Sequence, residues 1–139
     1  MVDALDEMIF AQAMFQDRLK AHESAKRGQW YYHPLTETEV NGRTLQLIEN
    51  TKMLAGEAWE AHNETPWRMH KIDYGREMTP DETERCVEEL VDSLHFLVNS
   101  FILCGYDSAE KIREAFFRKH KTNNDRQDRL ARGEPYKGA

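Results

Sequence analysis

The chain has 139 residues, of which 40% are hydrophobic and 32% charged, and it carries a formal net charge of −6. That length suits one domain whose core needs neither disulfides nor a structural metal. The acidic balance argues against a coat for DNA or RNA, which needs a basic footprint, and no apolar run approaches the ~20 residues that span a bilayer.

The first predicted helix covers roughly 4–25, with Leu5, Met8, Ile9, Phe15 and Leu19 at helical spacing and Asp3 as its N-cap. Its opening, MVDALDEMIFAQ, carries acids and no basic n-region, so it does not read as a secretory signal. A loop follows, KRGQWYYHPLTETEVNG, whose aromatic cluster suits either a core plug or a wall of a binding site. A second helix is predicted over about 43–63, with Leu47, Ile48, Leu54, Ala55 and Ala58 as apolar positions. Pro66 and Gly75 then break the pattern.

TPDE marks the next start. Thr79 can cap, Pro80 fits the first helical position and Glu82 completes a capping box. This third helix is predicted to reach about Leu103, where Gly105 suits the stop. Asp107 or Ser108 can cap a fourth helix over about 109–122, and 128–139 reads as a loose tail. No strand alternation is present, so the fold expected is all-α, a bundle of four to five helices in a single domain over 1–139. Cys86 and Cys104 share the third helix about 27 Å apart, too far to bridge, and a reducing cytoplasm is the simplest home.

Charge is uneven along the chain. From Lys111 to Lys137 there are nine Lys/Arg against four acids. Such a segment suits either a compact anionic ligand gripped locally or a solvated basic helix end.

Six acid pairs stand at i,i+3 spacing, which places both carboxylates on one helix face. Four of them lie at helix starts or in polar surroundings. Glu57–Glu60 and Glu89–Asp92 lie in the middle of helices. On the third helix the main apolar arc (Val87, Leu90, Val91, Leu94, Val98, Phe101) falls on the side away from Glu89, which favours a solvated acid face. Phe96 and Leu103 nevertheless share the acid stripe, and Met53, Leu54 and Ala61 lie close to Glu57. Four convergent carboxylates repel one another, and hard divalent cations with oxygen preference, such as Mg²⁺, relieve that repulsion and pair with phosphates. A di-iron site would want two Glu-x-x-His motifs, and the chain offers only Asp92-x-x-His95.

GEAWEAHNETPWRMHK resembles the E-x-x-E helix and P-W-K segment of the dimeric, all-α dUTPases, part of the wider MazG-like nucleoside triphosphate pyrophosphatases. EELVDSLHF resembles that family's E-x-x-D helix, KHKTNNDRQ its K…N-x-x-R-Q phosphate segment, and FQDRL with Trp30 its Gln-x-x-Leu helix and following Trp. The resemblance runs from about 12 to 127. It implies Mg²⁺ dependence, with two or more ions per site and Mn²⁺ as a substitute, a homodimer, and hydrolysis of a nucleoside triphosphate to the monophosphate and pyrophosphate. It carries metal ligation onto Glu57, Glu60, Glu89 and Asp92; one glutamate of the first pair, Glu57 by our assignment, would polarise the attacking water between metals. Phosphate contacts fall on Lys119, Asn123 and Arg126, and base or sugar contacts on Gln16, Trp67 and His95.

The sequence departs from the family pattern at Lys20, where the family has Asn, around Met69–His70, where a second Trp is missing, at His120 in place of Asn, and in the stretched DRLARGEPY. Gln16 can donate and accept, whereas Lys20 only donates. Lys20 either faces solvent or lines the pocket, and a pocket lined by both favours bases that offer acceptors. That places dUTP first, dGTP or a modified uracil nucleotide as the alternative, and dCTP and dATP last. A function from another class, a non-enzymatic helical interaction module with merely exposed acids, also fits the pattern.

Overall fold

The computed structural model describes residues 3–26 and 42–135. They form four helices, α1 (Ala4–Lys26), α2 (Gly42–Asn63), α3 (Pro80–Leu103) and α4 (Ala109–Ala131), with no strand among them. The all-α class read from the sequence is the one observed. No helix among the described residues is long and apolar enough to cross a membrane. Trp30 lies outside the described residues, as do 136–139 of the anticipated tail.

Local chemistry sets the helix ends. The Asp3 carboxylate accepts from the Leu5 amide at 2.9 Å and starts α1. Thr79 accepts from the Glu82 amide at 3.2 Å while the Glu82 carboxylate accepts from the Thr79 amide at 2.8 Å, the reciprocal capping box that opens α3. Arg76 holds Glu82 from the other side at 2.6 and 2.8 Å. With the Thr79 amide, its guanidinium takes the Glu82 carboxyl down to about 2. α3 stops at Gly105 (φ 83), where the Tyr106 amide reaches back to the Phe101 carbonyl at 2.8 Å.

α4 runs past the anticipated end at 122 and takes in 128–131 of the stretch read as tail. Nothing between Thr122 and Ala131 breaks a helix, and the Lys121–Asp125 pair at 2.7 Å supports the extra turns. The stop comes at Gly133 (φ 75), with the Glu134 amide bonded to the Arg129 carbonyl at 3.0 Å.

α2 and α3 form the main packing unit, and α1 lies against α3. Asn99 donates to Asn50 at 2.7 Å near one end of the α2–α3 seam. At the other end Arg85 donates to Glu64 at 2.8 Å, and the Cys86 thiol reaches the Ala61 carbonyl at 3.5 Å. These contacts fix an antiparallel register that sets Glu60 level with Glu89 and Glu57 level with Asp92. Ser93, Asn99 and Ser100 are buried on α3, and Ala61 on α2. Small side chains at Ser93, Ser100 and Ala61 let the two backbones approach.

The apolar arc of α3 therefore does not serve as the seam. Val98 is buried, but Val87, Leu90 and Val91 stand exposed. Among the described residues the only buried apolar side chains are Ile9, Ala61, Val98 and Ala109, and no large side chain is fully enclosed. Such a chain leaves more apolar surface in water than single-domain proteins of this size leave.

α4 is tied to the opposite end of the chain. Asp6 accepts from the Ala109 amide at 2.7 Å, Ser108 accepts from the Lys111 amide at 3.3 Å, and Asp3 pairs with Arg113. The main packing partner of α4 among the described residues is α1.

Removing the α3 cap tests the local account. Thr79→Ala takes one partner from the capping box and should lower stability by about 1 kcal/mol, read as a shift in urea midpoint with unchanged slope. An unchanged midpoint contradicts it.

Candidate metal centre

The α2–α3 register brings three carboxylates together. One oxygen each from Glu57, Glu60 and Glu89 lies within 4.8 Å of the others. Glu57 and Glu89 are half-buried in the seam and Glu60 is exposed at its edge. The wet face read from the apolar arc holds in part: Asp92 is exposed, whereas Glu89 is half-buried beside α2. Phe96, on the same stripe, is half-buried there.

The fourth acid sits apart. Asp92 is exposed, and its carboxylate stands 3.9 Å from Nδ1 of His95, also exposed. It is not one of the three mutually close carboxylates, although its charge is felt at Glu89. Burial in the seam pushes the Glu89 carboxyl above the usual carboxylate range, and the negative charges of Glu60 and Glu57 push it further.

Three carboxylate oxygens converging from two helices form an all-oxygen donor set. Ligand oxygens around an octahedral Mg²⁺ stand about 3–4 Å apart, a little closer than the spread seen here. One turn beyond Glu89 the Ser93 hydroxyl is buried and finds no partner among the described residues. An orphaned hydroxyl of this kind suits a water or ion in the seam. The sequence pattern did not single out Ser93, because a lone serine among apolar residues carries no signal until the packing face is known.

The proposed base and sugar contacts lie at different places. Trp67 is half-buried in the α2–α3 turn, where its ring centroid stands 5.6 Å from Trp59 and 4.9 Å from His62, with the Arg68 guanidinium 5.7 Å over it. It forms one wall of a cavity of about 440 Å³ that also takes in Glu64, Lys71 and Arg76. Glu64 follows Glu60 by one helical turn, so the cavity adjoins the carboxylate stripe. Gln16 is half-buried on α1, and Lys20 belongs to α1 with its side chain outside the described set. The partners of Trp67, namely Trp59 and His62, carried no sequence signal because their meeting depends on how the turn folds back.

Lys119 and Asn123 stand exposed on α4, and Arg126 is half-buried there. The three therefore share α4, whose main packing partner is α1, whereas the carboxylates lie on α2 and α3. Comparison with protein-family models, with curated proteins and with solved structures finds no match.

The raised Glu89 pKa has a measurable consequence. In the folded chain Glu89 keeps its proton over a pH range in which the unfolded chain has released it. The group therefore favours folding on the acid side, and that contribution is lost as pH rises through the raised pKa. Without divalent cations, Glu89→Gln should melt above wild type at neutral pH, and the gap should close as pH falls below the Glu89 pKa. Equal melting temperatures across that range contradict the crowding of the cluster.

Proposed function

We propose that this chain is a Mg²⁺-dependent pyrophosphatase of deoxynucleoside triphosphates, with dUTP as first substrate. The convergence of Glu57, Glu60 and Glu89 across the α2–α3 seam carries this reading. It gains support from the basic balance between Lys111 and Lys137 and from the sequence resemblance to the all-α dUTPases.

Glu57, Glu60 and Glu89 would hold the cation, with Asp92 completing the set from the rim. When bound, Mg²⁺ or Mn²⁺ neutralises carboxylate and phosphate charge and makes water a competent nucleophile near neutral pH. Glu57 orients the attacking water and takes its proton. The water oxygen bonds to the α-phosphorus, the bond from that phosphorus to the bridging oxygen breaks, and pyrophosphate leaves with the bonding pair. Lys119, Asn123 and Arg126 bind the phosphates. Trp67 offers a ring face to base or sugar beside the adjoining cavity, while Gln16, Lys20 and His95 supply polar contacts.

The uncovered arc of Val87, Leu90 and Val91 supports a homodimer, since a second copy would take this surface from water. The free thiols of Cys86 and Cys104 agree with a cytoplasmic setting. The same arc also favours a second reading, a helical interaction module without catalysis.

A pyrophosphate-release assay with each dNTP and Mg²⁺ separates the two. Wild type should turn over dUTP fastest, dGTP or a modified uracil nucleotide next, and dCTP and dATP poorly. Glu57→Gln should lose about 100-fold or more, and Lys20→Asn should change the ranking. No pyrophosphate from any dNTP rejects the enzyme, and preferred cleavage of dCTP or dATP rejects the base assignment.

A further inference from the structure

The less exposed residues of the α2–α3 seam follow a heptad repeat. On α2 they include Leu47, Asn50, Leu54, Glu57, Ala61 and Glu64, and on α3 Glu82, Cys86, Glu89, Ser93, Phe96 and Ser100. Alternating steps of three and four keep such positions on one side of a helix. A periodic seam packs as regularly after a slip of one repeat, about 10 Å along the axis. The repeat alone therefore does not choose the register.

Charge favours one such slip. Sliding α3 by one repeat, so that its first turns lie beside the end of α2, would set Glu57 level with Arg85 and Glu89 level with Met53. Glu60 would meet Glu82, which Arg76 already holds at 2.6 Å. The three crowded carboxylates would separate, and more of α2 would lie against α3. The observed register keeps both the repulsion and the shorter overlap, so a contact within it must oppose the slip.

Of the contacts that join the two helices, Glu64–Arg85 lies largely in water, with the Arg85 side chain 51% exposed, and such pairs add little. The Cys86 thiol is a weak donor. The Asn50–Asn99 bond differs. Asn99 is 4% exposed and donates to Asn50 at 2.7 Å, while the Asn50 amide donates in turn to the Gln46 carbonyl at 2.8 Å. That second bond fixes which end of the Asn50 side chain faces Asn99. After the slip Asn99 would stand level with Arg43, and Asn50 with Asp92. The buried Asn99 amide would lose its acceptor, a loss that burial makes costly. A single buried asparagine is known to set the register of paired helices for this reason.

We infer that Asn50 and Asn99 are positioning residues: their hydrogen bond selects the one register in which Glu57, Glu60 and Glu89 converge. Neither belongs to the cluster, and Asn50 lies two turns before Glu57. Selection of the register stands on packing and charge, whereas its effect on a bound cation rests on the function proposed above.

Disulfide trapping reads the register directly. In full-length chains carrying Cys104→Ser, Cys86 is offered a partner at Ala61→Cys or, separately, at Leu54→Cys. The Cys86 thiol already stands 3.5 Å from the Ala61 carbonyl. Leu54 lies about 10 Å further along α2, beyond disulfide reach. With both asparagines present, mild oxidation should link 61 to 86 and leave 54 unlinked. Asn50→Leu/Asn99→Leu should stay folded, because both polar partners are replaced together, yet link 54 to 86 in place of 61. Asn50→Ala/Asn99→Ala, which adds no bulk, should move the links in the same way. Links from 61 to 86 alone in both double variants overturn the proposal, as does failure of both to fold. Melting in chelator and in millimolar Mg²⁺ reads the consequence for the cluster. The chain with both asparagines should gain several degrees and the leucine variant none, although it keeps every carboxylate. An equal gain in the two overturns the positioning role. Moved links with no gain in either chain leave register selection standing and remove the cation site.

Discussion

Mutual repulsion among Glu57, Glu60 and Glu89 is the constraint on which the rest of the molecule turns. The seam between α2 and α3 forces these carboxylates together, and burial raises the cost of charging Glu89 in particular. A packing arrangement chosen for stability alone would have placed the apolar arc of α3 there. The register is instead held by polar contacts at both ends, Asn50–Asn99 and Glu64–Arg85, with small buried residues between. Those contacts keep the acids level with one another, and the apolar arc is left partly uncovered as a consequence.

This trade connects stability to function. Under the function proposed above, a divalent cation would relieve the like charges that the seam keeps close. The chain's basic stretch lies on α4, whose first turns are fastened to the start of α1.

Much of the local architecture could be read directly from the residues. Thr79, Pro80 and Glu82 announced the start of α3, Gly105 its end, and Asp3 the start of α1, because caps depend on neighbours within a few residues. The pairing of Glu57–Glu60 with Glu89 was legible as spacing on two helices. The packing face of α3 was not, because hydropathy points to Val87, Leu90 and Val91, whereas the seam is decided by Asn50, Asn99 and small residues from two separate helices. The direction of α4 was equally hidden, since it depends on Asp6 reaching the Ala109 amide from across the chain. Its extension beyond Thr122 was missed because polar residues were read as tail, although nothing there prevents a helix.

The central claim is that the seam holds its carboxylates together as a cation site. Calorimetric melting of the purified protein, first in chelator and then in millimolar Mg²⁺, tests it most directly, because a ligand that binds only the folded chain raises its stability by mass action. The account predicts a rise of several degrees with Mg²⁺ in wild type and none in Glu60→Ala/Glu89→Ala. Superimposable wild-type curves with and without Mg²⁺ would contradict it.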